Sequence, residues 1–135
     1  MSSLEEQQVE AFAPGLLPAH LGMTMKRCGD GSAVVCLPFR EVHRQHLGVL
    51  QGGVTATLID VAMAWAVSSL IHPRSAPTID LNVQYLRPVV DEDLECEATV
   101  IRAGRSVATA RAEVTTNTGA LVAVGTGTFL VRPSW

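Results

Sequence analysis

The chain has 135 residues, 47% of them apolar and only 17% charged, which excludes a disordered or tail-like protein and is the size of one domain. A net charge of −3 and an aromatic content of 4% leave neither the basic surface nor the stacking side chains of a nucleic-acid binder. Lys26 is the single lysine against nine scattered arginines, a composition suited to local contacts with an anionic ligand rather than to a phosphate-backbone stripe. Three well-separated cysteines, Cys28, Cys36 and Cys96, include no Cys-x-x-Cys pair and read as reduced thiols in a cytoplasmic protein. The acidic start, with Glu5, Glu6 and Glu10, is not that of an export signal.

Residues 1–18 form an acidic, helix-compatible arm closed by Pro14, Gly15 and Pro18, and the domain proper is expected over residues 19–135. Two short strands are expected at Leu21–Arg27 and Ser32–Leu37. Gly29-Asp30-Gly31 joins them as a hairpin turn, because Gly and Asp tolerate positive φ. Phe39–Gly53 has neither helical nor strand period and reads as a polar loop. From Val54 to Ile71 the chain reads as one helix, apolar on nearly every side. Its length also fits a membrane span, but Asp60 lies within it and the strands that follow alternate like those of a sheet with one wet face, so it is read as a helix wrapped by its own protein. Thr78–Tyr85, Leu94–Val100, Ser106–Val114 and Ala120–Val131 alternate apolar with polar residues and are read as long antiparallel strands in a row, a meander. An α+β fold follows, an antiparallel sheet curled around one central helix; no second helical period supports a ferredoxin-like or parallel α/β arrangement.

Two features of this pattern carry chemistry. Asp60 is a carboxylate two turns inside an apolar helix, where it must be paired, by a salt bridge to an arginine or as a cap to a neighbouring loop, solvated in a cleft, or functional. Gly52-Gly53 stands at the helix start, where backbone N–H groups lack partners and the helix dipole is positive; without side chains, another molecule can come close.

The segment from Gln45 to Asp60, QHLGVLQGGVTATLID, resembles the signature of the PaaI-type hotdog acyl-CoA thioesterases, in which an amide residue, a Gly, His-Gly-Gly and then an Asp follow at this spacing. Asp80–Pro88 is similar to the family's first long strand and Gly104-Arg105-Ser106 to a later turn, so the likeness spans roughly residues 20–131. The resemblance implies a curved antiparallel sheet around one helix, a hotdog fold, and hydrolysis of a small aromatic or short- to medium-chain acyl-CoA to free acid and CoA. By the same resemblance Asp60 is the nucleophile or general base, the Gly52 N–H polarises the thioester carbonyl, Gln45 holds carbonyl or water, and Thr78 positions water. Leu50, Gln51, Gly53, Arg87, Arg105 and Ser106 are the implied substrate contacts, with Arg102 a further cation near the site's mouth. No cofactor or metal is implied, since coenzyme A is part of the substrate, and no nucleic-acid or membrane partner. Gln51 departs from the motif, standing where its His belongs; it keeps a donor and an acceptor but cannot titrate near neutral pH. That counts against a hydratase or dehydratase on the same fold, and the surviving carboxylate counts against a non-catalytic acyl-CoA sensor.

Eight helical residues separate Gly52 from Asp60, about 12 Å at 1.5 Å per residue, so the two cannot flank one carbonyl from the same chain. If both act on it, two subunits must meet with these helices antiparallel. The family likewise forms such dimers, often paired into tetramers. Other features admit simpler readings. His43-x-x-His46 has the spacing of a metal pair but lacks a convincing third ligand, Gly125-Thr126-Gly127 has part of a dinucleotide-loop pattern but fits a strand passing close to a helix, and Met63 and Trp65 fit core or dimer packing.

Overall fold

The sheet starts at the turn most clearly marked in the sequence. In this computed structural model, which describes residues 3–133, Asp30 and Gly31 both hold positive φ, 52° and 79°. That is the type I′ geometry whose twist matches a hairpin, and it pairs β1 (Thr24–Gly29) antiparallel with β2 (Ser32–Leu37). The first strand begins later than its expected start at Leu21, because Leu17–Leu21 is a short helix, α2. Pro18 opens that helix and Gly22, at φ 87°, closes it in the left-handed conformation. Ahead of it lies α1 (Leu4–Ala11), capped by reciprocal bonds between Ser3 and Glu6. Phe12, just after α1, packs on the core.

The long helix α3 runs from Gly52 to Ile71, two residues earlier than the apolar period suggests, so both glycines are helical. Four strands follow it: β3 (Thr78–Tyr85), β4 (Leu94–Ala103), β5 (Val107–Thr116) and β6 (Leu121–Leu130). All six strands form one antiparallel sheet in the order β1-β2-β4-β5-β6-β3. Only β4, β5 and β6 are the expected meander. One side of β4 is taken by β2, with Val35 opposite Cys96, so β3 cannot lie beside its successor in sequence and pairs with β6 instead. It becomes a free edge.

What lets α3 lie on this sheet is the absence of side chains beneath it. The face that receives the helix carries Ala98, Ala108, Ala110, Ala112 and Ala123. At its closest points a Cβ on Gly125 would come 2.7 Å from Ile59 Cγ2, and one on Gly127 would come 2.7 Å from Met63 Cε. Gly125-Thr126-Gly127 is therefore a packing feature. Leu58, Ile59, Ala62, Met63, Ala66 and Val67 on the facing side of α3 are fully buried. The helix is not wrapped all round, as its composition suggested: Val54, Val61, Ala64 and Trp65 are half-buried and Leu70 is exposed. α3 is long and apolar enough to cross a membrane, with a mean hydropathy of 1.7, and here its buried face is spent on the sheet. A methyl group at Gly125 has no room to move into, because Asn82 O lies 3.1 Å away on the other side. Gly125→Ala is therefore expected to lose about 1–3 kcal/mol of stability, the usual cost of overpacking. Gly53→Ala, whose Cβ meets nothing within 4 Å, is expected to fold normally. Urea unfolding of the two variants checks both.

Candidate active site

The chain enters α3 through a loop that is tied down at several points. Arg44 pairs with Glu41 at 2.9 Å and donates to the carbonyls of Gly48 and Val90. The Leu50 N–H donates to Val89 O and the Gln51 N–H to His43 O. His43 is fully buried, its Nδ1 accepting the Arg40 N–H and its Nε2 donating to Leu21 O at 2.7 Å. Both ring nitrogens are thus spent on the backbone, and the His43-x-x-His46 spacing belongs to loop architecture rather than to a metal pair. Gln45 is also drawn inward: its Oε1 accepts the Leu47 N–H within its own turn, which among the described residues leaves the amide NH2 free.

This loop delivers Gln51 in extended conformation as the residue before α3, exposed and with its side chain not used as a cap. Gly52 and Gly53 follow as the first two helical residues, and among the described residues nothing accepts their N–H groups. The Tyr85 hydroxyl donates to the Gly52 carbonyl. A Cβ on Gly52 would sit 3.1 Å from that hydroxyl, whereas one on Gly53 would point into open space. The close approach expected at both glycines is thus divided: Gly52 admits Tyr85, and Gly53 is left open to another molecule. Beside them lies a cavity of about 390 Å³, lined by Leu50, Gly52, Thr55, Tyr85, Arg87 and Val122 among others. Arg87 is held there by both carboxylate oxygens of Glu92, at 2.9 and 3.0 Å.

Asp60 lies two turns further along α3. It is half-buried, and its Oδ1 accepts the Thr78 hydroxyl at 2.7 Å. The partner the structure gives this carboxylate is a hydroxyl from β3 and not an arginine. Arg105 and Ser106 stand on the exposed β4–β5 turn at the same end, where the Ser106 carbonyl accepts the Val131 N–H and Phe129 of β6 lies opposite Thr78.

The expected site residues therefore fall into two groups at opposite ends of β3. Leu50, Gly52, Gly53 and Arg87 gather at the Tyr85 end, and Asp60, Thr78, Arg105 and Ser106 at the Thr78 end. Seven strand steps of about 3.3 Å put those ends roughly 23 Å apart. Tyr85 and Glu92 are additions that the sequence reading missed. Alternation along β3 places Tyr85 on the helix-facing side with Leu81 and Val83, and that was the available signal.

With that geometry in view, comparison with known proteins is direct. Residues 47–123 match the family model of the thioesterase superfamily. The chain belongs to that superfamily. A candidate esterase of Halobacterium salinarum is 40% identical over 129 residues, 87% of this chain and 84% of that protein. Human acyl-coenzyme A thioesterase 13 is 32% identical over 107 residues, 76% of this chain and 75% of the human one. Among solved structures, a variant of the phenylacetic acid degradation protein PaaI from Thermus thermophilus superposes with a TM-score of 0.78 at 32% identity, covering 84% of this chain and 96% of that one. The six-stranded sheet with its long helix is the hotdog fold, and the protein is a PaaI-type thioester hydrolase.

A thioesterase needs an oxygen or sulfur nucleophile, or a base for water. The three thiols are poorly suited to that task. Burial pushes Cys28 and Cys36 up, the latter also through the neighbouring Glu95 carboxylate, and burial pushes Cys96 far up. A raised pKa means less thiolate at a given pH, and the thiolate is the reactive form. With a chromogenic disulfide at pH 8, the native protein is expected to react more slowly than free cysteine at Cys28 and Cys36, and at Cys96 only after unfolding. Rapid modification of any one of the three would return a thiol to the list of nucleophiles. The Asp60–Thr78 bond is checked separately: Thr78→Val is expected to cost about 1 kcal/mol in urea unfolding, and Thr78→Ser to keep most of that stability.

Proposed function

We propose that the protein hydrolyses acyl-CoA thioesters carrying a small aromatic or a short- to medium-chain acyl group, in the cytoplasm. The observation that carries this reading is the pair of complementary ends: a half-buried carboxylate fixed by a hydroxyl, and a helix start with two unpartnered N–H groups beside an apolar cavity. Thr78 engages one oxygen of Asp60 and leaves the other free to act. As general base, Asp60 takes a proton from water as the water oxygen adds to the thioester carbonyl. As nucleophile, it forms a mixed anhydride that water then opens. In either route the developing oxyanion is met by N–H groups of Gly52 and Gly53, the CoA thiolate departs and takes a proton, and the free acid remains. Gln45 offers its free NH2 to carbonyl or water. A thioester is already activated, so the reaction as proposed uses no metal or cofactor.

Distance makes two copies part of this mechanism. β3 is an unpaired edge along one side, and the face of α3 that includes Val61, Ala64 and Trp65 is incompletely covered. Two chains joined antiparallel along β3 about a two-fold axis would bring the Thr78 end of one to the Tyr85 end of the other. Each Asp60 would then face the Gly52 of its partner. The same swap brings one chain's Arg105 and Ser106 toward the other's Arg87, gathering cations where the CoA phosphates enter. Pairs of such dimers would make the tetramer that the family resemblance implies.

Release of free thiol from phenylacetyl-CoA and hexanoyl-CoA tests the chemistry. Asp60→Asn is expected to lower kcat by at least about 100-fold with the fold intact, and near-normal turnover would place catalysis elsewhere. Shared sites are tested by co-expressing Asp60→Asn with Gly52→Val, each inactive alone. Random pairing makes half the dimers hybrids, each with one intact site of two, so about a quarter of wild-type activity should return. A site built within one chain would return none.

A further inference from the structure

The hydrogen bond from Tyr85 to Gly52 has a chemical consequence beyond joining a strand to a helix. The Gly52 carbonyl belongs to the same peptide unit as the Gly53 N–H, and in a trans peptide the two point in opposite directions. A donor on the carbonyl pulls electron density from that unit and strengthens its N–H as a donor on the other side, because chained hydrogen bonds polarise one another. The N–H so strengthened is the second of the two left unpartnered at the helix start, and it belongs to the glycine with open space beside it. We propose that Tyr85 is a positioning residue for thioester hydrolysis, acting through the Gly52–Gly53 peptide to orient and strengthen the Gly53 N–H as an oxyanion donor alongside that of Gly52. This rests on the helix start being the oxyanion site.

The glycine at position 52 leaves room for the hydroxyl, since even a methyl group there would crowd it at 3.1 Å. Tyr85 is 54% exposed in the single chain, so there its hydroxyl does not need the Gly52 carbonyl to escape burial, and the bond adds little to that chain's stability. Its pKa is pushed up by partial desolvation, which keeps the hydroxyl protonated and able to donate. The backbone side is also covered: in a regular helix the Gly52 carbonyl already accepts the N–H four residues on, so losing Tyr85 leaves it partnered.

Tyr85→Phe keeps the ring and removes the donor. Measured with phenylacetyl-CoA and hexanoyl-CoA, it is expected to lower kcat about tenfold with KM changed less than twofold and the thermal midpoint nearly unchanged, the pattern of an interaction felt in the transition state. A kcat within twofold of wild type, or a loss confined to KM, overturns the proposal. Fluorotyrosine at position 85, whose hydroxyl is more acidic, supplies a readout that a structural role would not move. It should hold kcat near or above wild type at neutral pH and bring the alkaline fall in kcat to lower pH, as the donor is lost earlier. An unmoved alkaline limb overturns the proposal even if Tyr85→Phe fails to fold. Asp60→Asn separates the two levels: if it is as active as wild type, the underlying site assignment has failed, whereas an inactive Asp60→Asn beside a fully active Tyr85→Phe refutes only the role of Tyr85.

Discussion

The close contact between α3 and the sheet is the constraint on which the rest of the molecule depends. Ile59 and Met63 occupy space that any side chain at Gly125 or Gly127 would claim, and the alanines of β4, β5 and β6 extend that shallow bed. A helix lowered this far is fixed in height and rotation by close packing. Its next residue after Ile59 is Asp60, so the contact that buries Ile59 also sets the carboxylate at the margin of the buried face, within reach of Thr78. The helix start is held by the loop bonds of Arg44, Leu50 and Gln51. Asp60 and the two glycine N–H groups are thereby carried on one closely packed helix, with β3 touching it at both ends.

The same rigidity creates a difficulty within one chain. A straight helix cannot bring its first turn and its third to one atom, and β3 holds Tyr85 and Thr78 even farther apart. Bending α3 would forfeit the packing that defines the core. The antiparallel association proposed along the β3 edge would resolve this without deformation, since a two-fold axis superimposes opposite ends. The incompletely covered side of α3 fits that arrangement. In one chain, a helix apolar all round has more hydrophobic surface than a single sheet layer can bury.

Much of this organisation was legible in the sequence. The Asp30-Gly31 turn announces itself because only a few residue types accept positive φ at two successive positions. α3 is visible as an apolar run of helical length, and β4 to β6 as a period of two. The glycines of β6 were readable as a close approach of strand and helix, since no phosphate-loop context surrounds them. The motif from Gln45 to Asp60 named the family and its general reaction, thioester hydrolysis, because the spacing of a glycine pair and a carboxylate on one helix is local information.

What the sequence by itself determined, then, was the hairpin, α3, the strands that follow it and the chemical character of Asp60 and Gly52-Gly53, properties set by near neighbours along the chain. Tertiary structure decided the partners. That β3 lies beyond β6 instead of beside β4, that Asp60 meets a hydroxyl 18 residues away, that Tyr85 reaches the Gly52 carbonyl, and that His43 turns inward to the Leu21 carbonyl all depend on contacts between distant segments. The reason is physical. Periodicity reports which face of an element is apolar, but the neighbour that covers it is selected by the joint packing of all the others, and no single segment carries that information.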